Sequence, residues 1–167
     1  MEQMKKRFFT VLFALFLLFP SCGGPDYRND LSAEELSKKC ARELNFQDFA
    51  LEGSDAFPKE NRPGLAPDVS VCYSTNGNNL DEICIWKATG EKPRQVASFL
   101  ADSLFERYEE NESFYQSYIP EELPKLRDAE VRVYGNYVVY AVLSPEQKKA
   151  FFQFLEKTLA KEEKPTV

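Results

Sequence analysis

The side chains of this sequence that stand out for chemistry are four cysteines, the acidic pair Asp81-Glu82 and a single tryptophan, and none of its 167 residues is histidine. Cys22 has the most definite surroundings. Lys5, Lys6 and Arg7 lead into an apolar run from Phe8 to Phe19, and Phe19-Pro20-Ser21-Cys22-Gly23-Gly24 follows at once. A basic segment, a short apolar segment and a small residue before a cysteine make a secretion signal ending in a lipoprotein processing site, where the Cys22 thiol takes a diacylglyceryl group. As a helix the apolar run reaches only about 18 Å against roughly 30 Å of hydrocarbon, so it reads as a signal and not a transmembrane anchor. Phe19 stands where leucine is usual, which bears on lipidation more than on export.

The other cysteines divide differently. Cys72 and Cys84 fall on two strands of one hairpin, and a turn centred near Asn78 sets them opposite one another. An oxidising exterior allows a cross-strand disulfide there, or two free thiols. Cys40 lies on the apolar stripe of a helix and reads as a small buried hydrophobe. With no histidine and no Cys-x-x-Cys spacing, neither a metal, a cofactor nor thiol catalysis is expected. Asp81-Glu82 is the densest acidic pair near a turn; such a pair binds a hard cation or supplies acid and base in sugar chemistry, unless it is a solvated strand edge. Trp86 alternates with Ile85, so it points away from the core face and is the best surface aromatic, unless a helix or the preceding long segment covers it. Asp81, Glu82 and Trp86 are therefore the candidate binding residues, and no catalytic residue is assigned. Glu106, Glu109, Glu110, Glu112, Glu121 and Glu122 interleave with Tyr108, Phe114, Tyr115 and Tyr118. They grip a cationic or sugar-like partner, or are simply the wet side of a packed helix.

The elements that must position these groups follow from periodicity. Ser32 with Glu35 is a capping box, and Ala33, Leu36, Cys40 and Leu44 recur at helical spacing, which predicts a helix over 33–44. Residues 45–67 mix Phe46, Phe49, Leu51 and Phe57 with glycines and prolines and show no period, so they read as a long irregular wrap. Residues 68–74 and 80–87 alternate around Thr75-Asn76-Gly77-Asn78-Asn79, a hairpin. Pro93 suits the first turn of the longest helix, with Val96, Phe99, Leu100, Leu104 and Tyr108 inward and an end before Pro120. A second hairpin over 129–143 turns at Gly135-Asn136, which sets Ala129, Val131 and Val133 on the face of Val138, Tyr140 and Val142. Ser144, Pro145 and Gln147 then start a last helix. The expected fold is α+β: a four-stranded, mainly antiparallel sheet of two hairpins, covered on one face by about three helices.

Removing the signal, residues 1–21, from the 167 leaves 146, one domain's worth. The expected organisation is a flexible tether over 22–31, a single domain over 32–160 and a charged tail over 161–167. The whole chain carries a formal charge of −6; the signal holds three bases and one acid, so the remainder carries −8. That balance disfavours nucleic acid and anionic surfaces. Missing histidine removes the commonest general base and zinc ligand.

The lipobox-like Cys22, Asp81-Glu82-Ile83 on a strand, the run from Phe114 to Tyr118 before Pro120, residues 126–131 and Gly135-Asn136-Tyr137-Val138 resemble domain of unknown function 4358, found in predicted lipoproteins of Gram-positive bacteria. The resemblance spans about residues 49–143 and implies a surface lipoprotein with no catalytic assignment to carry over. The expectation is a membrane-anchored extracytoplasmic lipoprotein, a monomer held by its N-terminal lipid, acting as a noncatalytic binding module toward an envelope protein or glycan. The competing reading is a carboxylate-dependent hydrolase acting on envelope glycan. A transporter's substrate receptor is disfavoured because such receptors close two lobes on a ligand.

Overall fold

A computed structural model describes residues 26–59, 62–64 and 67–161. The expected signal, Cys22 and the tail beyond Lys161 lie outside these residues. In chain order the elements are α1 (Ala33–Glu43), β1 (Phe49–Glu52), a 3-10 turn (Ser54–Ala56), β2 (Asp68–Ser74), β3 (Glu82–Lys87), α2 (Pro93–Tyr118), α3 (Leu123–Arg127), β4 (Glu130–Tyr134), β5 (Tyr137–Val142) and α4 (Pro145–Leu159). Both capping boxes form: the Ser32 and Ser144 hydroxyls accept from the N–H groups of Glu35 and Gln147, whose side chains return to the N–H groups of the caps.

The class is α+β, but the sheet has five strands instead of four. Its order is β1-β2-β3-β5-β4, and every pairing is antiparallel. The extra strand, β1, sits in the stretch read as irregular. It is a four-residue edge strand entered from Asp48 at φ +48, too short for alternation to stand out among its glycine and proline neighbours.

Helices cover both faces, not one. All six residues of β5 are buried, as are the four inner residues of β3. Strands wrapped on both sides carry no polar phase, which is the signature of a sheet between two layers. Cys72, Ile83, Ile85, Val139 and Ala141 meet Leu36 and Cys40 of α1 and Phe151 and Leu155 of α4. Val71, Cys84, Trp86, Val138 and Tyr140 meet Val96, Leu100 and Leu104 of α2 and Leu126 of α3.

Two site expectations fall with this arrangement. Trp86 is not a surface aromatic; it is fully buried, with the Phe57 and Phe99 rings 5.6 and 5.8 Å away, and its indole N–H finds no partner among the described residues. Cys72 and Cys84 are not opposite one another either. The register pairs Val71 with Cys84 and Cys72 with Ile83, because the turn is centred between Gly77 and Asn78. A shift of one residue sends the two thiols to opposite faces, and both are free. The second hairpin has the register read from Gly135-Asn136, with Val133 paired to Val138 and Gly135 at φ +58.

The stretch expected to be a flexible tether is docked from residue 26 onward. The Arg28 N–H donates to the carbonyl of Leu159 at 2.9 Å, and Tyr27 bridges to Ala160. The Tyr27 ring stands edge-on to Tyr134 at 5.5 Å, and its Cβ would be 3.2 Å from any Cβ placed on Gly135. Tyr137 donates its hydroxyl to the carbonyl of Leu31.

Trp86→Ala is expected to cost about 3–5 kcal/mol in urea unfolding. In the native protein the single tryptophan should emit to the blue and resist acrylamide, losing both properties on unfolding. A solvent-like native spectrum would contradict the buried placement.

Candidate functional site

Asp81 and Glu82 stand where β3 begins, and as sequential residues of an extended chain they project to opposite sides of the sheet. Each meets a separate set of partners. Glu82 takes the Arg107 guanidinium of α2 on both oxygens, at 2.9 and 3.1 Å, and accepts the Tyr140 hydroxyl at 2.5 Å. Burial, then the carboxylate of Glu82, holds the Tyr140 hydroxyl well above its ordinary pKa. Burial alone lowers the affinity of Arg107 for its proton, yet the attraction of Glu82 outweighs it and the net shift is upward.

Asp81 lies on the other side. Its Oδ1 receives the Lys125 ammonium at 2.7 Å, and its Oδ2 receives the Gln147 amide at 3.0 Å. Lys125 also donates to Glu122 at 2.7 Å, and the same Glu122 oxygen accepts the N–H of Leu80 at 2.8 Å. The side chains of Asp81, Glu122 and Lys125 are each no more than 16% exposed, so these are largely desolvated ion pairs. Desolvation pulls the pKa of Lys125 down, but hydrogen bonds to Asp81 and Glu122 reverse it and the net shift is upward. The cluster locks α3, the first hairpin turn and the start of α4 together.

Asp81 and Gln147 also line a polar cleft of about 250 Å³, closed by the 44–48 loop and the 74–79 turn. The loop follows a helix stop. Asn45 takes φ +52 after α1, its N–H reaches the carbonyl of Arg42, and the N–H of Phe46 reaches that of Ala41. Thr75 then clasps the carbonyl of Asp48 with both its N–H and its hydroxyl. The walls carry Asn45, Gln47, Asn76, Asn79 and Gln147, amides that both donate and accept, beside the carboxylates of Asp48 and Asp81.

Of the three candidate binding residues, the structure puts Asp81 on this cleft, turns Glu82 away under α2 and buries Trp86. The acid-rich stretch is split: Glu122 holds Lys125, Glu112 accepts the Tyr108 hydroxyl, and Phe114 and Tyr118 stack 4.7 Å apart in solvent. Lys125 and Arg107 went unread. The carboxylates of Asp81 and Glu82 that they neutralise lie 44 and 25 residues away, and only Glu122, three residues before Lys125, is local. Among the described residues no cluster of acids and cysteines could hold a metal ion, and no helix is long and apolar enough to cross a membrane.

Residues 67–143 match the model of a family described as Domain of unknown function (DUF4358). The matched segment starts later than the resemblance read from residue 49. It contains β2 through β5 with α2 and α3, hence both carboxylates and the cations that neutralise them. No curated protein and no solved structure matches the chain.

Lys125→Met leaves Asp81 and Glu122 facing each other without a cation and should cost about 3–5 kcal/mol in chemical denaturation. Adding Asp81→Asn should restore part of that loss. A single-variant effect below about 1 kcal/mol would mean the cluster is solvated like a surface pair.

Proposed function

We propose that the protein is a noncatalytic binding module held at the outer face of a membrane, with the cleft beside Asp81 seating a neutral polar ligand of the envelope, a glycan or a peptide segment. The observation that carries this reading is the lining of the cleft. Among the described residues Gln147 and Asn79 are bound within the protein, but Gln47 keeps its carbonyl and Asn45 and Asn76 keep their NH2 groups for hydroxyls and peptide groups, while Asp81 is already compensated by Lys125 and Gln147. The hydrolytic alternative needs two carboxyls facing one another across a groove, about 5–9 Å apart. Asp81 and Glu82 diverge to opposite sides of the sheet, and Glu82 is saturated by Arg107 and Tyr140. The placement outside a membrane rests on the sequence before residue 23.

Soluble peptidoglycan fragments and short envelope peptides, titrated into isotopically labelled protein, should shift amide resonances at residues 44–48 and 74–79. Gln47→Ala, at an exposed wall position, should weaken that binding about tenfold with the melting temperature unchanged. Perturbations confined elsewhere, or release of new reducing ends that Asp81→Asn abolishes, would reject the reading.

Attachment has its own check. In cells fed a labelled fatty acid, the protein should carry the label and fractionate with membranes, and Cys22→Ala should lose both. Unlabelled, uncleaved full-length chain inside the cell would remove the extracytoplasmic part of the proposal.

A further inference from the structure

Cys40, Cys72 and Cys84 are all free thiols in the structure; we propose that oxidation in the exported protein joins Cys40 to Cys72 by a disulfide, stitching α1 to β2. The inference rests on the extracytoplasmic reading for its oxidant alone; the pairing comes from how the helix lies on the strand. Two contacts fix that alignment. The N–H of Ala33 donates to Asp68 Oδ1 at 3.0 Å, and Ser37 Oγ donates to the carbonyl of Ser70 at 3.4 Å. The helix therefore runs along β2 in the same direction. Three residues beyond Ser37, about 5 Å along the axis and on the same face, is Cys40. Two residues beyond Ser70, about 7 Å along the strand and on the same face, is Cys72.

The approach is also close. A serine hydroxyl lies only two bonds of about 1.5 Å from its Cα. For Ser37 to reach a strand carbonyl at 3.4 Å, its Cα must come within about 6 Å of that oxygen, which sets α1 tight against β2. Small residues permit it: Ala33, Ser37, Cys40 and Ala41 face the strand and are each at most 1% exposed. Both sulfurs belong to the same apolar layer, and Cys84 is on the far side of the sheet. Burial raises the Cys40 thiol's pKa and the charge of a Cys72 thiolate would raise it further, while burial, then Glu82, pushes Cys72 up to about 12.

Thiols so protonated and enclosed do not react in the folded state, so the bond forms before α1 docks. A thiolate of the pair attacks a sulfur of a disulfide oxidant, a small-molecule disulfide or an oxidoreductase, and expels one thiolate. The second cysteine attacks the resulting mixed disulfide and expels the other. Two electrons pass to the oxidant, and the two protons lost by the cysteines balance those taken up by the leaving thiolates.

The test uses the full chain carrying Cys22→Ser, reduced and unfolded, then refolded in glutathione and glutathione disulfide, alkylated and digested for mass spectrometry. The expected result is one linked peptide pair, Cys40 with Cys72, lighter by two hydrogens, with alkylation at Cys84 alone. The oxidised form should melt about 10 °C above the reduced form. Cys84→Ala should leave the bridge intact, and Cys72→Ala should leave Cys40 alkylated. Three alkylated thiols after oxidative refolding, or a bridge that includes Cys84, overturn the pairing. Protein recovered from the envelope, with thiols trapped at lysis, should carry the same linked peptide. A bridge formed in the refolding buffer but missing there upholds the pairing and counts against export.

Discussion

The central pair of strands, β3 and β5, has to be dry on both sides. Tyr137-Val138-Val139-Tyr140-Ala141-Val142 offers no charged group to either face, and Ile83-Cys84-Ile85-Trp86 offers none between the ends of β3. A sheet with such a centre is unstable against water on either surface, so two helical layers are obligatory. That requirement places α1 and α4 on one side and α2 and α3 on the other, and it drives the charged chemistry to the rims. Glu82, at the very start of β3, is the point where the dry region meets the first carboxylate, and the protein neutralises it at once with Arg107 and Tyr140.

The same constraint explains what could be read from the sequence. Helix starts were legible because Ser32 and Ser144 announce themselves within three residues. The second hairpin was legible because Gly135-Asn136 admits one short turn and therefore one register. The first was not. Its longer turn tolerates two centres half a residue apart, and the choice between them decides whether Cys72 faces Cys84 or Ile83. Trp86 was misplaced for a related reason: alternation of Ile83 and Ile85 with Cys84 and Trp86 distinguishes two faces without saying that one of them is wet. The edge strand β1 and the short α3 were hidden by length, and the pairing of Lys125 with Asp81 by distance along the chain.

Asp81, Glu82 and Glu122 are structural acids. Asp81, Glu122 and Lys125 form a largely desolvated triad, and such groups hold neighbouring elements in one arrangement more than they add net stability. They join the hairpin turn to α3 while Gln147 brings in α4. The walls of the polar cleft are thus set by a charge cluster that lies partly outside it.

The docked entry segment fixes an orientation. Tyr27 rests on Gly135, Tyr137 holds Leu31, and Lys87 pairs with Tyr137 in the same quarter of the sheet. The cleft lies at the other end of the strands, where Ser74, Asn76 and Asp81 gather. The seven residues of β2 separate those two poles by about 20 Å. On the proposed attachment through Cys22, the recess becomes the pole farthest from the anchor.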